Sequence, residues 1–452
     1  MMMRLSEAAI ATQGQLIGAD VVFDAVSTDS RDIHTGDLFV ALRGERFDGH
    51  AYVADCASRG AVAALVSTEV EGGTPKVQVA DTRLALGELA AHWRSKFDIP
   101  LAAVTGSNGK TTVKEMLASI LRAAAGSDNA VLATQGNLNN DIGLPLTLLK
   151  LRAGHQYAVA EMGMNHAGEI AYLTRLGKPT VAVINNALPA HLEGLGSVEG
   201  VARAKGEIFE GLADDGIAII NADDEFAPLW KQLAAPHRVV TFGLQHAADV
   251  SADYHLKAEV SELKLNTQKG SIALNLPAPG LHNVRNALAA AATALAIGVS
   301  LEAVANGLQQ FTGAKGRLQS KAGLQGCTVI DDTYNANPAS MQAAIDVLAA
   351  CPGKRILVLG DMGELGADAE KLHLEIGQYA QAAKLDGLLT LGDSAHAYGG
   401  QHFETPEALA AALQPQLTAL TTVLVKGSRF MRMERVVALL TETKQKESRH
   451  AA

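Results

Sequence analysis

Residues 101–112, LAAVTGSNGKTT, constrain the fold of this chain more than any other stretch. The apolar run at 101–104 predicts a short buried strand. Thr105, Gly106, Ser107, Asn108 and Gly109 carry little side-chain bulk. Lys110, Thr111 and Thr112 then lead into VKEMLASILRAA, whose apolar residues recur at helical spacing. Strand, glycine loop and helix start together form a phosphate cradle. Backbone N–H groups converge on the anion, the helix N-terminus adds positive potential, and Lys110 supplies a full charge. Thr111 stands where a P-loop hydroxyl holds magnesium. The general pattern asks for a glycine five residues before Gly109, and Val104 stands there. A plain glycine turn capping a helix is the alternative, but Gly-Lys-Thr in this context favours phosphate.

At 452 residues the chain is too long for one core and predicts about three domains. Its net charge of −10 argues against nucleic-acid partners and against anionic membrane surfaces, which favour a basic face. Cys56, Cys327 and Cys351 lie far apart without a CxxC pair, which suits a reducing cytoplasm and offers neither a disulfide frame nor a zinc site. No run of 18 apolar residues occurs and the N-terminus lacks the apolar core of a signal peptide, so a cytoplasmic location without membrane insertion is expected.

Residues 1–82 predict a small N-terminal α/β domain. Ser27, Thr28, Asp29, Ser30 and Arg31 make a polar turn after a strand, and 43–50, with Arg46, makes a charged loop. Both offer donors to a diphosphate or nucleotide, although spacing alone favours two solvated turns. Residues 83–314 predict a central α/β domain around the cradle. There Thr134, Asn137, Asn139 and Asn140 bunch polar groups before a helix, as a tight loop or a ligand site. The strand at 157–160 ends at Glu161, and an acid at a strand tip beside a P-loop is the expected second magnesium contact. His191 is open to metal, phosphate or turn-capping roles, and Lys205 by itself reads as a solvated helical lysine. Residues 238–277 predict an antiparallel extension, followed by an alanine-rich helix on which Asn283 and Asn286 lie one turn apart.

Residues 315–452 predict a C-terminal Rossmann-like domain. Its strands are CTVIDD, RILVLGDM, GLLTLGD and TVLVKGS, and its helices begin near Pro338, Ala367, Pro406 and Met431. This alternation implies a parallel, doubly wound sheet with ligands at the carboxyl ends of its strands. The polar loops 331–338, 360–366 and 426–429 all occupy those ends.

TGSNGKTT (105–112), GNLNNDIG (136–143), the EMG glutamate, the His191 loop, AKGEIF, the HNVRNALAA helix and the aspartate-led loop at 331 follow the order found in the Mur ligases, and the chain resembles that family over essentially its whole length. The family's cradle also begins Thr-Gly, which accounts for Val104. The resemblance implies three domains that bind UDP, bind ATP and complete an amide ligase of peptidoglycan precursor synthesis, acting as a monomer. DDTYNANPASM, LGDMGELG and LVKGSRFMRME are similar to the branch of the family that adds D-alanyl-D-alanine to UDP-N-acetylmuramoyl-tripeptide. Thr333 stands where serine is usual.

The resemblance also implies roles. Gly106 through Thr112 bind the ATP phosphates. Thr111 and Glu161 hold one magnesium, and His191 helps to hold a second with a carbamoylated Lys205. Asn286 contacts adenine, while Arg317 and Asp332 close over phosphates and ribose. Ser27 to Arg31 and the Arg46 loop hold the UDP end, which reverses the reading from spacing alone. Thr134, Asn137, Asn139 and Asn140 line the path of the muramoyl-tripeptide, and Asn335, Asn337 and the 361–366 loop face the dipeptide. The competing expectations are another amine acceptor within the family, a folylpolyglutamate synthetase and, more distantly, a P-loop switch ATPase.

Overall fold

The computed structural model describes residues 1–189 and 192–441. Three large sheets organise it, beside a two-stranded antiparallel pair of Met3–Arg4 with Val22–Phe23. The first has five strands in the order Gln15–Ile17, Lys76–Gln78, Ala63–Val66, Asp37–Val40, Ala25–Ser27, all parallel except the first. The two polar loops expected to hold UDP leave the carboxyl ends of Ala25–Ser27 and Asp37–Val40, which pair with each other.

The second sheet has nine strands. Leu101–Thr105 lies between Val181–Ile184 and Glu161's strand, Tyr157–Glu161, and all three are parallel. Their unbroken apolar runs suit strands covered on both faces. Helices Lys110–Ala125 and Leu281–Ala296 cover one face and pack on each other through residues such as Leu117, Ile120 and Leu288. The cradle helix begins at Gly109 (φ +80°) and stops at Gly126 (φ +67°), both in the left-handed region that glycine tolerates. The expected antiparallel extension comprises Val250–Leu256, Ser261–Thr267 and Gly270–Leu276. Arg238–Phe242, expected within it, instead continues the parallel sheet beside Ile217–Asn221.

The third sheet runs Gln319–Ala322, Thr328–Asp332, Thr421–Lys426, Lys354–Gly360, Gly387–Leu391, Gln401–Phe403. The four strands read from the sequence form its parallel centre. Antiparallel Gln319–Ala322 and the short edge Gln401–Phe403 complete it; neither carries an apolar run long enough to announce a strand. Helix Pro338–Ala349 opens with a capping box between Asn337 and Ser340.

One hydrophobic core runs continuously from Met2 in the first unit to Ala234 in the second. Helix Thr82–Arg94 joins the two. Trp93 Nε1 donates to the Leu151 carbonyl at 3.1 Å, and the Arg94 guanidinium donates to the carbonyls of Gly177 (3.2 Å), Ile99 (3.1 Å) and Phe97. The third unit has its own cores on the two faces of its sheet. Arg94→Ala leaves one buried and two part-buried carbonyls without this donor and should cost about 2–3 kcal/mol. Urea unfolding followed by the fluorescence of neighbouring Trp93 checks this; an unchanged midpoint would refute the role of Arg94.

Candidate active site

A cavity of about 1120 Å³ opens between the second and third sheets. It exceeds the roughly 300–1,000 Å³ of a single small-molecule pocket. Ser107, Asn108, Gly109, Lys110, Thr112, Asn137, Asn139, Asn140, Glu161, Lys205, Asn286, Arg317, Asp332, Asn335 and Asn337 all line it. Most of the site residues expected from the sequence therefore share one space.

The cradle is held from beneath. Asn186 accepts from the Asn108 N–H at 2.9 Å and returns its own amide to the Asn108 carbonyl at 3.1 Å. Asn185 donates to the Asn108 carbonyl and to Asn286 Oδ1, each at 2.9 Å. Asn286, expected at adenine, is thus buried under the cradle in this arrangement. Asn185 and Asn186 carry no role in the sequence reading; the adjacent amides closing the strand at 180–186 were the available signal. Lys110 Nζ donates to the Gly106 carbonyl at 2.8 Å.

Thr111 Oγ1 donates to Glu161 Oε2 at 2.8 Å, and Asn139 donates to Glu161 Oε1 at 2.8 Å. Hydroxyl and carboxylate oxygens are the hard ligands that magnesium favours, so this pair fits the ion. Thr134 does not line this cavity. It is buried, and its hydroxyl accepts from the Glu161 N–H at 3.0 Å. Thr134 supports the strand tip from behind. Asn140 lines the cavity while its Oδ1 accepts from the Gly143 N–H at 2.8 Å.

From the third unit, Arg317 donates to Thr111 Oγ1 at 3.0 Å and lies over the Tyr334 ring, 4.3 Å from its centroid. Its Nε is buried without a hydrogen-bond partner among the described residues. A buried guanidinium donor left unpaired at a phosphate cradle suits an anionic oxygen. Asn108 and Asn337 exchange amide hydrogen bonds of 2.7 and 3.2 Å across the cavity mouth. Asp332 pairs with Lys426 at 2.7 Å and accepts from the Leu318 N–H at 3.1 Å, so both its oxygens are engaged. Asn335 is exposed at the rim, and its carbonyl accepts from Lys426 at 2.8 Å. Ser428 stitches the three strand-end loops: it accepts from the Gly363 N–H at 2.7 Å, and its hydroxyl donates to the Ala336 carbonyl at 3.3 Å.

Lys205 is the chemical exception. It is buried, and burial together with the nearby charge of Lys110 pushes its amine well below the ordinary lysine range. The solvated helical lysine expected from its local sequence is therefore corrected. Burial and Arg317 also lower Lys110, against the pull of Glu161. His191 lies outside the described residues. The first-sheet residues stay apart from the cavity. Ser27 Oγ accepts from the Asp29 N–H at 3.1 Å, Arg31 is paired with Asp29 at 2.7 Å, and Arg46 is exposed.

Three family models match the chain in succession: "Mur ligase family, catalytic domain" over residues 22–94, "Mur ligase middle domain" over 104–294, and "Mur ligase, glutamate ligase domain" over 316–429. The chain is 45% identical over 447 residues to the UDP-N-acetylmuramoyl-tripeptide–D-alanyl-D-alanine ligase of Escherichia coli, covering 97% of this chain and 98% of that one. A crystal structure of MurF from Acinetobacter baumannii superposes with a TM-score of 0.90 at 40% identity, covering 97% of this chain and 98% of that one. MurF from Thermotoga maritima in complex with ADP gives a TM-score of 0.82 at 28% identity, covering 92% and 96%.

A Cβ at Gly109 would collide with Asn286 and lie 2.5 Å from Asn185 Nδ2, at a positive φ. Gly109→Ala should weaken ADP binding about tenfold or more, from about 1–2 kcal/mol of left-handed strain plus the collision. Calorimetric titration with ADP reads this directly; unaltered affinity would mean the cradle does not hold phosphate.

Proposed function

The chain belongs to the Mur ligase family, and we infer that it joins D-alanyl-D-alanine to the terminal carboxylate of UDP-N-acetylmuramoyl-tripeptide with hydrolysis of ATP, in cytoplasmic peptidoglycan precursor synthesis. The observation that carries this reading is the meeting of the cradle with third-sheet groups in one cavity: Arg317 reaches Thr111, and Asn337 reaches Asn108. Among the described residues no helix is long and apolar enough to cross a membrane.

A carboxylate is a poor electrophile and must be activated. The terminal carboxylate oxygen attacks the γ-phosphorus of ATP, the bond to the bridging oxygen breaks, and ADP leaves behind an acyl phosphate. Lys110 and Arg317 face the charge that spreads over the transferring group. The dipeptide amine then attacks the acyl carbon, the nitrogen loses a proton, and inorganic phosphate departs. Water would destroy the acyl phosphate, so the third unit must cover the cavity before transfer. Thr111 and Glu161 would hold magnesium, which supplies positive charge against the phosphate oxygens. The loops at 27–31 and 43–50, on adjoining strand ends of the first sheet, hold the UDP end in this reading. Asn137, Asn139 and Asn140 then face the muramoyl-tripeptide, and Asn335 with Asn337 faces the dipeptide.

A carbamate on Lys205 fits the same scheme. The neutral amine adds to carbon dioxide, a C–N bond forms, and a proton leaves. An ordinary lysine is neutral in about one molecule in a thousand near pH 7.5, whereas burial beside Lys110 keeps Lys205 far more available. His191 and the carbamate would then hold a second magnesium.

Phosphate release should require ATP, magnesium, UDP-N-acetylmuramoyl-tripeptide and D-alanyl-D-alanine together, with a product heavier by one dipeptide. Lys110→Ala should abolish turnover while leaving the circular dichroism spectrum intact. Release without the dipeptide would instead identify a plain ATPase, and activity only with another amine would move the chain to another branch of the family. Lys205→Ala should lose ligation and regain part of it with added acetate, a small carboxylate standing in for the carbamate. Full activity of Lys205→Ala without acetate would exclude the modification.

A further inference from the structure

The outer edge of the third sheet carries a side-chain cluster that the ligation reaction does not use. We propose that His396, His402 and Glu404 form a binding site for a zinc-class divalent ion, apart from the magnesium of the active site. One ligand atom from each of the three lies within 4.8 Å of the others. The His396 and His402 rings are stacked with centroids 3.5 Å apart and planes 25° from parallel. Stacked rings hold their in-plane lone pairs side by side, so the exposed His396 must turn about its side-chain torsions to bring a nitrogen onto an ion held by His402.

The site has an outer layer as well. His402 lies on edge strand Gln401–Phe403, directly opposite Thr390 of the neighbouring strand. The buried Thr390 hydroxyl and His402 Nδ1 are 3.0 Å apart and hydrogen-bonded. A bond at Nδ1 fixes the ring and leaves Nε2 as the ligand atom, which is how outer partners orient metal-bound histidines. That Nε2 lies 4.0 Å from Glu404 Oε1. In a tetrahedral zinc shell the ligand atoms sit about 3.3 Å apart, given bonds of about 2.0 Å. Glu404, with its side chain 87% exposed, can close the difference by changing rotamer. Water would complete four-coordination.

Donor chemistry separates this ion from magnesium. Two imidazoles and one carboxylate suit zinc, cobalt or nickel, whereas Thr111 and Glu161 offer the oxygen ligands of a hard cation. The ion would brace a turn that supports the active site. His396 lies in the turn Ala395–Tyr398, and the Tyr398 hydroxyl donates to the Gly360 carbonyl at 3.1 Å. The Tyr398 ring packs 4.8 Å from His373, whose Nε2 accepts from the Met362 N–H at 3.0 Å. Gly360 and Met362 begin the loop that lines the cavity through Gly363, Glu364 and Leu365.

The test uses the full-length chain without an affinity tag, stripped with chelator and saturated with magnesium and ADP. Titration with Co²⁺ should give one site with the intense visible bands of four-coordinate cobalt, and Zn²⁺ should displace it. His396→Ala and Glu404→Gln, both at exposed positions, should each weaken Co²⁺ binding at least about tenfold, as should removal of the orienting hydroxyl in Thr390→Val. With magnesium as the sole divalent ion, the ligation rate and thermal melting of His396→Ala should match those of the unmodified chain. Absence of four-coordinate cobalt, or equal binding in His396→Ala and Glu404→Gln, would overturn the proposal.

Discussion

The parallel register between Leu101–Thr105 and Tyr157–Glu161 governs the site, because it sets Glu161 opposite Val104, just before the cradle loop. Only there can its carboxylate accept from Thr111 at the helix start, 2.8 Å away. A slip of one residue would turn Glu161 to the other face of the sheet. The tip is fixed from behind as well. Lys114, buried in the cradle helix, donates to the Thr134 carbonyl at 2.7 Å, and the Thr134 hydroxyl accepts from the Glu161 N–H. Glu161 is thus held through its backbone by one side of the cradle helix and through its carboxylate by the start of the same helix. A carboxylate so positioned does not need to reorganise when charge arrives.

A chain of net charge −10 buries lysines in the same cavity, and the sign of the consequence follows from linkage. The folded-state pKa of Lys205 lies well below its unfolded value, because burial and Lys110 both oppose the proton. Between those two values the unfolded chain binds more protons, so this group's contribution to stability falls as pH drops through the window. Conversion of Lys205 to a carbamate would replace a repulsion toward Lys110 with an attraction.

The cradle was legible because its chemistry is local: small residues, a left-handed glycine, a lysine and a helix start within twelve positions. The third sheet's parallel centre was equally legible, since each buried strand is an unbroken apolar run followed by a helix. What escaped depends on partners distant in sequence. Nothing near Asn286 announces that its amide lies beneath Gly109, and nothing near Thr134 announces that its hydroxyl is spent on Glu161. Arg238–Phe242 shares its alternating character with the hairpins that follow, yet it pairs parallel with Ile217–Asn221. Lys205 was misread for the same reason: its helix pattern is ordinary, and only tertiary packing removes it from water.

The third unit is attached differently from the other two. The first two units share one continuous hydrophobic core, whereas the third keeps separate cores on its own sheet. At the cradle it is joined by the reciprocal amides of Asn108 and Asn337 and by Arg317 on Thr111. The amide bonds contribute about 1 kcal/mol each net and the guanidinium bond about 1.5–3 kcal/mol, because water replaces them on separation. Breaking the set costs a few kcal/mol, far less than exposing an apolar core, and domain motion is the default for such an interface. The same groups are donors and acceptors suited to phosphate and amide ligands.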